Sequence, residues 1–335
     1  MNLKKIFKNK KPIIVAEIGN NHEGNFNRAI NLIDAASKSG ADAVKFQTYK
    51  VESYYNQKFT DKKRYNRLKK FQFTFDQFEK LSKYSKKRNI IFYSTPFDIE
   101  SAIFLNKIQK LFKISSGDNN FDTLIKVLKS FNKPTIISTG LLNYLEINKL
   151  LRQFDSYKNK NKLGILHCIS SYPAPHENLN LKSISFLKEK FPKFDVGYSD
   201  HALGIDSCKI AIMLGAFMVE KHFTLDKNTS DFHDHKISAD PKELKDLVDF
   251  SRNFRPMLGN LKKNPKKEEI RNIKNLRRSA YFKKDMRSGR QIFSGDIDWL
   301  RPFSNFSIEN PKEVERKILK KNVKKGDLIV KGVFK

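Results

Sequence analysis

His201 follows the apolar run FDVGYSD and His222 closes the run FMVEKHF, so two imidazoles stand at matching ends of neighbouring runs. A lone histidine is usually a hydrogen-bonded packing residue; the matched pair is what argues for ligands. Neutral imidazoles beside carboxylates suit Mn, Co, Zn or Fe(II). Lys45 in DAVKFQT and Lys113 in LFKISSG bring two ammonium groups. Thr95, Ser116, Ser138 and Ser199 add hydroxyls, Ser116 next to a glycine, which makes a donor set for a phosphate or carboxylate. Glu17 in PIIVAEIG supplies a general base. A bound anion, a divalent cation and a base point to addition to a metal-polarised carbonyl. A Schiff base on Lys45 or Lys113 is a competing use of the same lysines; the surrounding hydroxyls favour anion binding.

These residues share a position. From residue 12 to about 252 a short apolar run ends in polar residues and an amphipathic stretch follows, and this happens eight times: PIIVAEIG, DAVKFQT, IIFYSTP, LFKISSG, PTIISTG, LGILHCISS, FDVGYSD and FMVEKHF. Between them Ile30, Ile33 and Ala36 show the helical spacing, and Gly40 suits a C-cap. β-rich runs alternating with helices predict parallel βαβ units. Eight units in about 240 residues predict a (β/α)8 TIM barrel, with chemistry at the C-terminal ends of the strands. An open doubly wound sheet is the competitor, but no Rossmann glycine fingerprint is present.

The composition changes after Pro256. Residues 1–255 are the barrel domain, the charged stretch 256–278 reads as a linker, and 279–335, with short strands and Ser/Lys-Gly turns, as a small β-rich domain. The latter is near the lower size limit for an independent core.

The remaining composition narrows the function classes. The 335 residues carry 66 Lys+Arg and 36 Asp+Glu, a net charge of +30, which invites a nucleic-acid reading. The lysines are scattered, however, and the runs Lys4–Lys11 and Lys262–Lys267 are short. No basic helix with heptads, finger spacing or paired RNA-reading aromatics is present, so no nucleic-acid partner is expected. Two cysteines, Cys168 and Cys208, outside any CxxC, predict a reducing compartment. No apolar stretch reaches the ~18 residues of a membrane span, and the N-terminal run is too short for a signal sequence. The expectation is a soluble cytoplasmic protein.

The motifs AEIGNNHEG, ADAVKFQT, STPFD, KISSGD, ISTG, LHCISSYPAP, GYSDHALG and EKHFTLD, in this order, closely resemble the sialic acid synthase family, which includes N-acetylneuraminate synthases and their legionaminic and pseudaminic acid relatives. RRSAYFKKDMRSGRQIFSGDIDWLRP resembles the antifreeze-like (SAF) domain that ends those enzymes. The resemblance covers nearly the whole chain. It implies a transferase that condenses phosphoenolpyruvate with the open-chain aldehyde of an N-acyl-hexosamine, such as N-acetylmannosamine or a deoxy-diacetamido sugar, to a nine-carbon 2-keto acid and phosphate. A spore-coat-polysaccharide type synthase is a variant of that reading. A metal-dependent aldolase acting on free pyruvate is the remote alternative.

Residue by residue, the resemblance implies phosphoenolpyruvate contacts at Lys45, Thr95, Lys113, Ser116, Ser138 and Ser199. It implies a catalytic carboxylate at Glu17, with Lys45 and Lys113 also catalytic. His201 and His222 match ligands of a divalent metal, Mn2+, Mg2+ or Co2+. Gln47, Tyr172 and Asp234 match the sugar site, and Arg301 matches an arginine lent across a domain-swapped homodimer. The chain departs from the family at Asp118, usually Glu, and at Ser170, Asn in some members. RPFSNFSI lacks the family's glycines after Arg301, and no Gly-Pro precedes Asp234–His235 in TSDFHDHK. These last two departures border the sugar. Within the same loop His233 reads as solvent-facing and His235 as a pocket neighbour.

Overall fold

The computed structural model describes residues 2–8, 12–157 and 162–335; residues 9–11 of the basic run lie outside the described residues. The chain divides into two compact units, 1–258 and 259–335.

The first unit is built on eight strands: β1 (Ile13–Gly19), β2 (Ala43–Thr48), β3 (Ile91–Pro96), β4 (Phe112–Ile114), β5 (Thr135–Ser138), β6 (Leu163–Cys168), β7 (Asp195–Asp200) and β8 (Met218–His222). They form one sheet in the order β3-β2-β1-β8-β7-β6-β5-β4, and the ladders are parallel. The two ends of that order, β3 and β4, lie side by side, so the sheet curls into a near-closed barrel of the TIM type.

Local chemistry sets the helices between the strands. The helix Phe26–Lys38 starts where the Asn25 side chain accepts from the Arg28 amide at 2.9 Å, and it buries Ala29, Leu32, Ile33 and Ala36. It stops before Gly40, which has φ +83° and whose missing Cβ would meet Val248 Cγ1 at 3.2 Å. The helix Phe75–Lys87 opens on a reciprocal capping box between Thr74 and Gln77.

Strand alternation then separates two cores. Outward residues such as Ile14, Ala16, Val44, Val196, Tyr198 and Val219 pack against the helices. Inward residues Ile13, Val15, Ala43, Tyr93, Leu111, Ile136, Leu166 and Met218 fill the lower barrel, and Leu3, Ile6 and Phe7 of the N-terminal segment plug it from below. Each such fully buried large apolar side chain is worth roughly 1.5–3 kcal/mol. Above this layer the inward positions turn polar. Side chains two residues further along the same strands therefore meet at the C-terminal mouth.

The second unit has its own core, including Ala280, Phe282, Met286, Ile292, Val314, Leu319 and Ile329, with Trp299 packed against it. Its strands β9 (Ser279–Phe282) and β10 (Ile297–Leu300) pair antiparallel. The stretch read as a linker differs from expectation. The barrel's last helix, Pro241–Leu258, runs through Pro256, and Lys267–Leu276 is itself helical. Glu268 and Glu269 in the first turn of that second helix complement its dipole. Among the described residues no helix is long and apolar enough to cross a membrane.

Candidate active site

Four buried charged residues form the centre of the barrel mouth. The Lys45 ammonium lies 3.1 Å from Glu17 Oε1 and 3.4 Å from Glu220 Oε1. Lys113 Nζ reaches the same Glu220 oxygen at 3.7 Å. All four are buried. Burial pushes the Glu17 carboxyl up to about 7; Lys45 opposes this and the charge of Glu220 reinforces it. Burial would raise Glu220 too, but Lys113 and then Lys45 outweigh it and hold Glu220 below the usual carboxylate range. Burial disfavours the Lys45 charge, yet Glu17 and Glu220 hold this lysine above its ordinary value. At Lys113 burial wins and the ammonium is lowered, against the pull of Glu220. The two carboxylates thus sit in one cage with opposite tendencies, Glu17 toward neutral and Glu220 toward anionic.

Hydroxyls surround these charges. Lys113 donates to Ser138 Oγ at 2.6 Å, Lys45 to Thr95 Oγ1 at 3.3 Å, and Ser199 Oγ to Glu220 Oε1 at 3.0 Å. Ser116 Oγ accepts from the Gly140 amide at 3.1 Å. A Cβ on Gly140 would fall 2.7 Å from Ser116 Oγ and 2.4 Å from Ser170 Oγ, so only glycine lets these chains meet. Asp118 accepts from the Ser115 hydroxyl. Glu17 Oε2, Glu220 Oε2 and Ser170 Oγ are buried without a hydrogen-bond partner, leaving polar capacity for a guest.

The histidines flank this cage. The rings of His201 and His222 are 5.5 Å apart. His201 Nδ1 donates to the Ile169 carbonyl at 2.8 Å, which occupies that nitrogen and leaves Nε2 as the one open to a guest. Burial, then the charge of His201, keeps His222 neutral, well below the usual histidine range. Its Nδ1 is buried and unpartnered, 3.8 Å from Asp234 Oδ2. Among the described residues no three His, Cys, Asp or Glu side chains group closely enough to hold an ion alone. The available imidazole nitrogens fit a two-histidine site whose other positions are open. The Tyr172 ring packs against that of His201 at 4.1 Å between centres, tilted by 38°. Gln47 donates to Glu17 Oε1 at 3.4 Å and accepts from Asn20 at 2.8 Å.

A family model described as the NeuB family matches residues 32–263. The chain belongs to the NeuB family. It is 40% identical over 334 residues to an N,N'-diacetyllegionaminic acid synthase of Campylobacter jejuni, covering 96% of this chain and 99% of that one. It is 34% identical to the enzyme of the same name from Legionella pneumophila, covering 95% and 93%. Among solved structures, the N-acetylneuraminic acid (sialic acid) synthetase of Leptospira borgpetersenii superposes with a TM-score of 0.71 at 36% identity, covering 79% of this chain and 91% of that chain. The chemistry of this NeuB-family chain is accordingly that of a sialic-acid-type synthase.

The mouth of the NeuB-family barrel brings together every sequence-read site residue of the first unit: Glu17, Lys45, Gln47, Thr95, Lys113, Ser116, Ser138, Tyr172, Ser199, His201, His222 and Asp234. Arg301 belongs to the second unit, where its Nε donates to the Leu276 carbonyl at 2.9 Å. Glu220 was legible as a strand-end residue, but its central place between the lysines was not. Its neighbours Asp200 and Lys221 also end strands, yet they face outward. Lys221 Nζ lies 2.5 Å from Asp200 Oδ2, both without solvent exposure. His235, next to Asp234, is buried and pairs with Thr224 Oγ1 at 2.8 Å. His167 Nε2 meets the Leu179 carbonyl at 2.8 Å and is occupied there.

Proposed function

We propose that this protein condenses phosphoenolpyruvate with an N-acylated hexosamine, forming a nine-carbon 2-keto acid of the sialic acid type and releasing phosphate. The observation that carries the reading is the convergence of Lys45 and Lys113 on one buried carboxylate oxygen, ringed by Thr95, Ser138 and Ser199. Two ammonium groups within reach of one oxygen anchor a small, multiply charged anion. Phosphoenolpyruvate carries a carboxylate and a phosphate on three carbons.

In this reading Lys45, Lys113, Thr95, Ser116, Ser138 and Ser199 orient the anion. Glu17, poised near neutral pH, holds or moves a proton at Oε2, which has no partner of its own. Gln47, Tyr172 and Asp234 line the sugar end, with Arg301 supplied by the SAF-like unit of a second copy in a homodimer. His201 and His222 would hold a divalent cation, Mn2+, Mg2+ or Co2+. When bound, the cation supplies Lewis-acid polarisation of a carbonyl oxygen. The two legionaminic acid synthases among the relatives, each matched nearly end to end, favour a diacetamido-deoxy sugar over N-acetylmannosamine as acceptor.

The test is phosphate release from phosphoenolpyruvate across N-acetylmannosamine, its 6-phosphate and diacetamido-trideoxyhexoses, with each divalent cation. Release should require both a sugar and a cation, fastest with a diacetamido sugar. Turnover of free pyruvate instead would convert the assignment to an aldolase.

A further inference from the structure

Asp234 rides on a five-residue helix, His233–Ile237, in the loop after β8. So short a helix has little stability of its own, so something outside it must fix the carboxylate. The loop after β1 does this. Asn21 Nδ2 donates to the Phe223 carbonyl and to Ser238 Oγ, both at 2.9 Å, and Ser238 Oγ donates to the Asp234 carbonyl at 2.6 Å. Two residues on stands Glu23, held at φ +50°. One of its oxygens pairs with Arg28; the other accepts from the Ser230 hydroxyl and lies 3.7 Å from His235 Nε2. His235, next to Asp234 in sequence, is buried, and its other nitrogen is tied to Thr224. Glu23 therefore holds the loop at Ser230, just before the helix, and its carboxylate also faces the buried His235 Nε2 within the helix, which has no hydrogen-bond partner.

We propose that Glu23 is a positioning residue for the acceptor sugar: by accepting from Ser230 it fixes the segment that enters the helix carrying Asp234, and so sets that carboxylate beside His222. The proposal rests on the reading of Asp234 as sugar-facing. Burial would raise the Glu23 carboxyl, but Ser230 and Arg28, the two donors it accepts from, outweigh it and keep the residue anionic. Glu23 touches none of the reacting groups, so its loss should act on one substrate only. Lys45 and Lys113 are held by Glu17, Glu220 and Ser138, not by this loop.

The experiment compares wild type, Glu23→Gln and Ser230→Ala in steady-state kinetics and in amide hydrogen exchange. Glu23→Gln keeps the size and removes the charge. Its KM for the sugar should rise about 10-fold, the loss of one charge-assisted contact. Its KM for phosphoenolpyruvate should stay within about twofold. Ser230→Ala, which removes a single half-buried hydroxyl, should give the same split with a smaller factor of about threefold. Amides of 224–238 should exchange about 10-fold faster in Glu23→Gln, with those of β1 unchanged. An unchanged sugar KM, or both KM values rising together, overturns the proposal, as does unchanged exchange. A wild type that releases no phosphate with any sugar overturns the reaction reading instead, and the exchange data still decide whether the grip exists.

Discussion

Lys45 and Lys113 come from strands separated by β3, and both ammonium groups point at a single oxygen of Glu220, at 3.4 and 3.7 Å. A carboxylate between two buried lysines keeps both charged side chains folded into the barrel mouth before an anion arrives. An incoming carboxylate or phosphate then meets cations already oriented, with Ser138 and Thr95 fixing their direction. Each lysine should therefore contribute to anion binding as a charge-assisted donor of about 1.5–3 kcal/mol. Lys45→Met and Lys113→Met are expected to weaken phosphoenolpyruvate binding by about 10- to 150-fold each, measured by calorimetry without sugar. Unaltered affinity in both variants would remove the anion-site assignment.

Glu17 gives a pH signature. Its carboxyl is raised from 4.5 to about 7 by burial, so between these values the folded state holds a proton that the unfolded chain has lost. Wild-type stability should fall, relative to Glu17→Gln, as pH rises from about 4.5 through about 7, and level off above. Denaturant unfolding of the two proteins across that range checks the sign. Activity runs the other way if the carboxylate is the base. The rate should rise with pH through about 7 in wild type. In Glu17→Gln the pH dependence should flatten and the rate drop by about 100-fold or more.

The barrel was legible because each strand is a short β-rich run closed by polar residues, and each helix shows a three- and four-residue apolar spacing. The mouth residues were legible for the same reason: a parallel barrel collects strand C-termini at one end. Which of several consecutive polar residues faces inward was not legible. Ser199, Asp200 and His201 read alike as letters, and so do Glu220, Lys221 and His222. Only the pairing of β7 with β8, and the outward packing of Val196, Tyr198 and Val219, shows that Asp200 and Lys221 turn away from the mouth. The hydrogen bond from Ser230 to Glu23 spans most of the barrel domain in sequence, and nothing local announces it. The helix Lys267–Leu276 was hidden by its charge: Ile270, Ile273 and Leu276 carry the helical spacing, but no residue of the helix is buried.

His201 and His222 are expected to act as a pair. Chelation of wild type should abolish phosphate release, and Mn2+ should restore it. In His222→Ala or His201→Ala turnover should fall about 100-fold or more and not return on adding the cation. His233 has a side chain 56% exposed, 3.4 Å from Asp234 Oδ1, and His233→Ala should keep most activity. Cation binding measured directly, by Mn2+ electron paramagnetic resonance of the free protein, separates a lost ligand from a lost catalyst. Wild-type binding that persists in both alanine variants would place the cation elsewhere.

The outward pair makes the opposite prediction, stability without chemistry. Asp200 Oδ1 accepts from the Tyr198 hydroxyl at 2.7 Å, the Ser207 hydroxyl at 2.9 Å and the Ala202 amide at 3.1 Å. Its other oxygen meets Lys221, which also donates to the Ala202 carbonyl at 2.6 Å. Burial would raise Asp200, but Lys221 outweighs it, so the carboxylate stays charged in a dry setting. Lys221→Met fills the same volume and strands that charge, which costs about 3–5 kcal/mol. Urea unfolding of the first unit should show this loss, while KM values of the folded fraction stay near wild type because neither side chain reaches the mouth. The double variant Asp200→Asn/Lys221→Met removes the stranded charge and should recover part of the stability. A double variant no more stable than Lys221→Met would mean that the pair's role is packing rather than charge compensation.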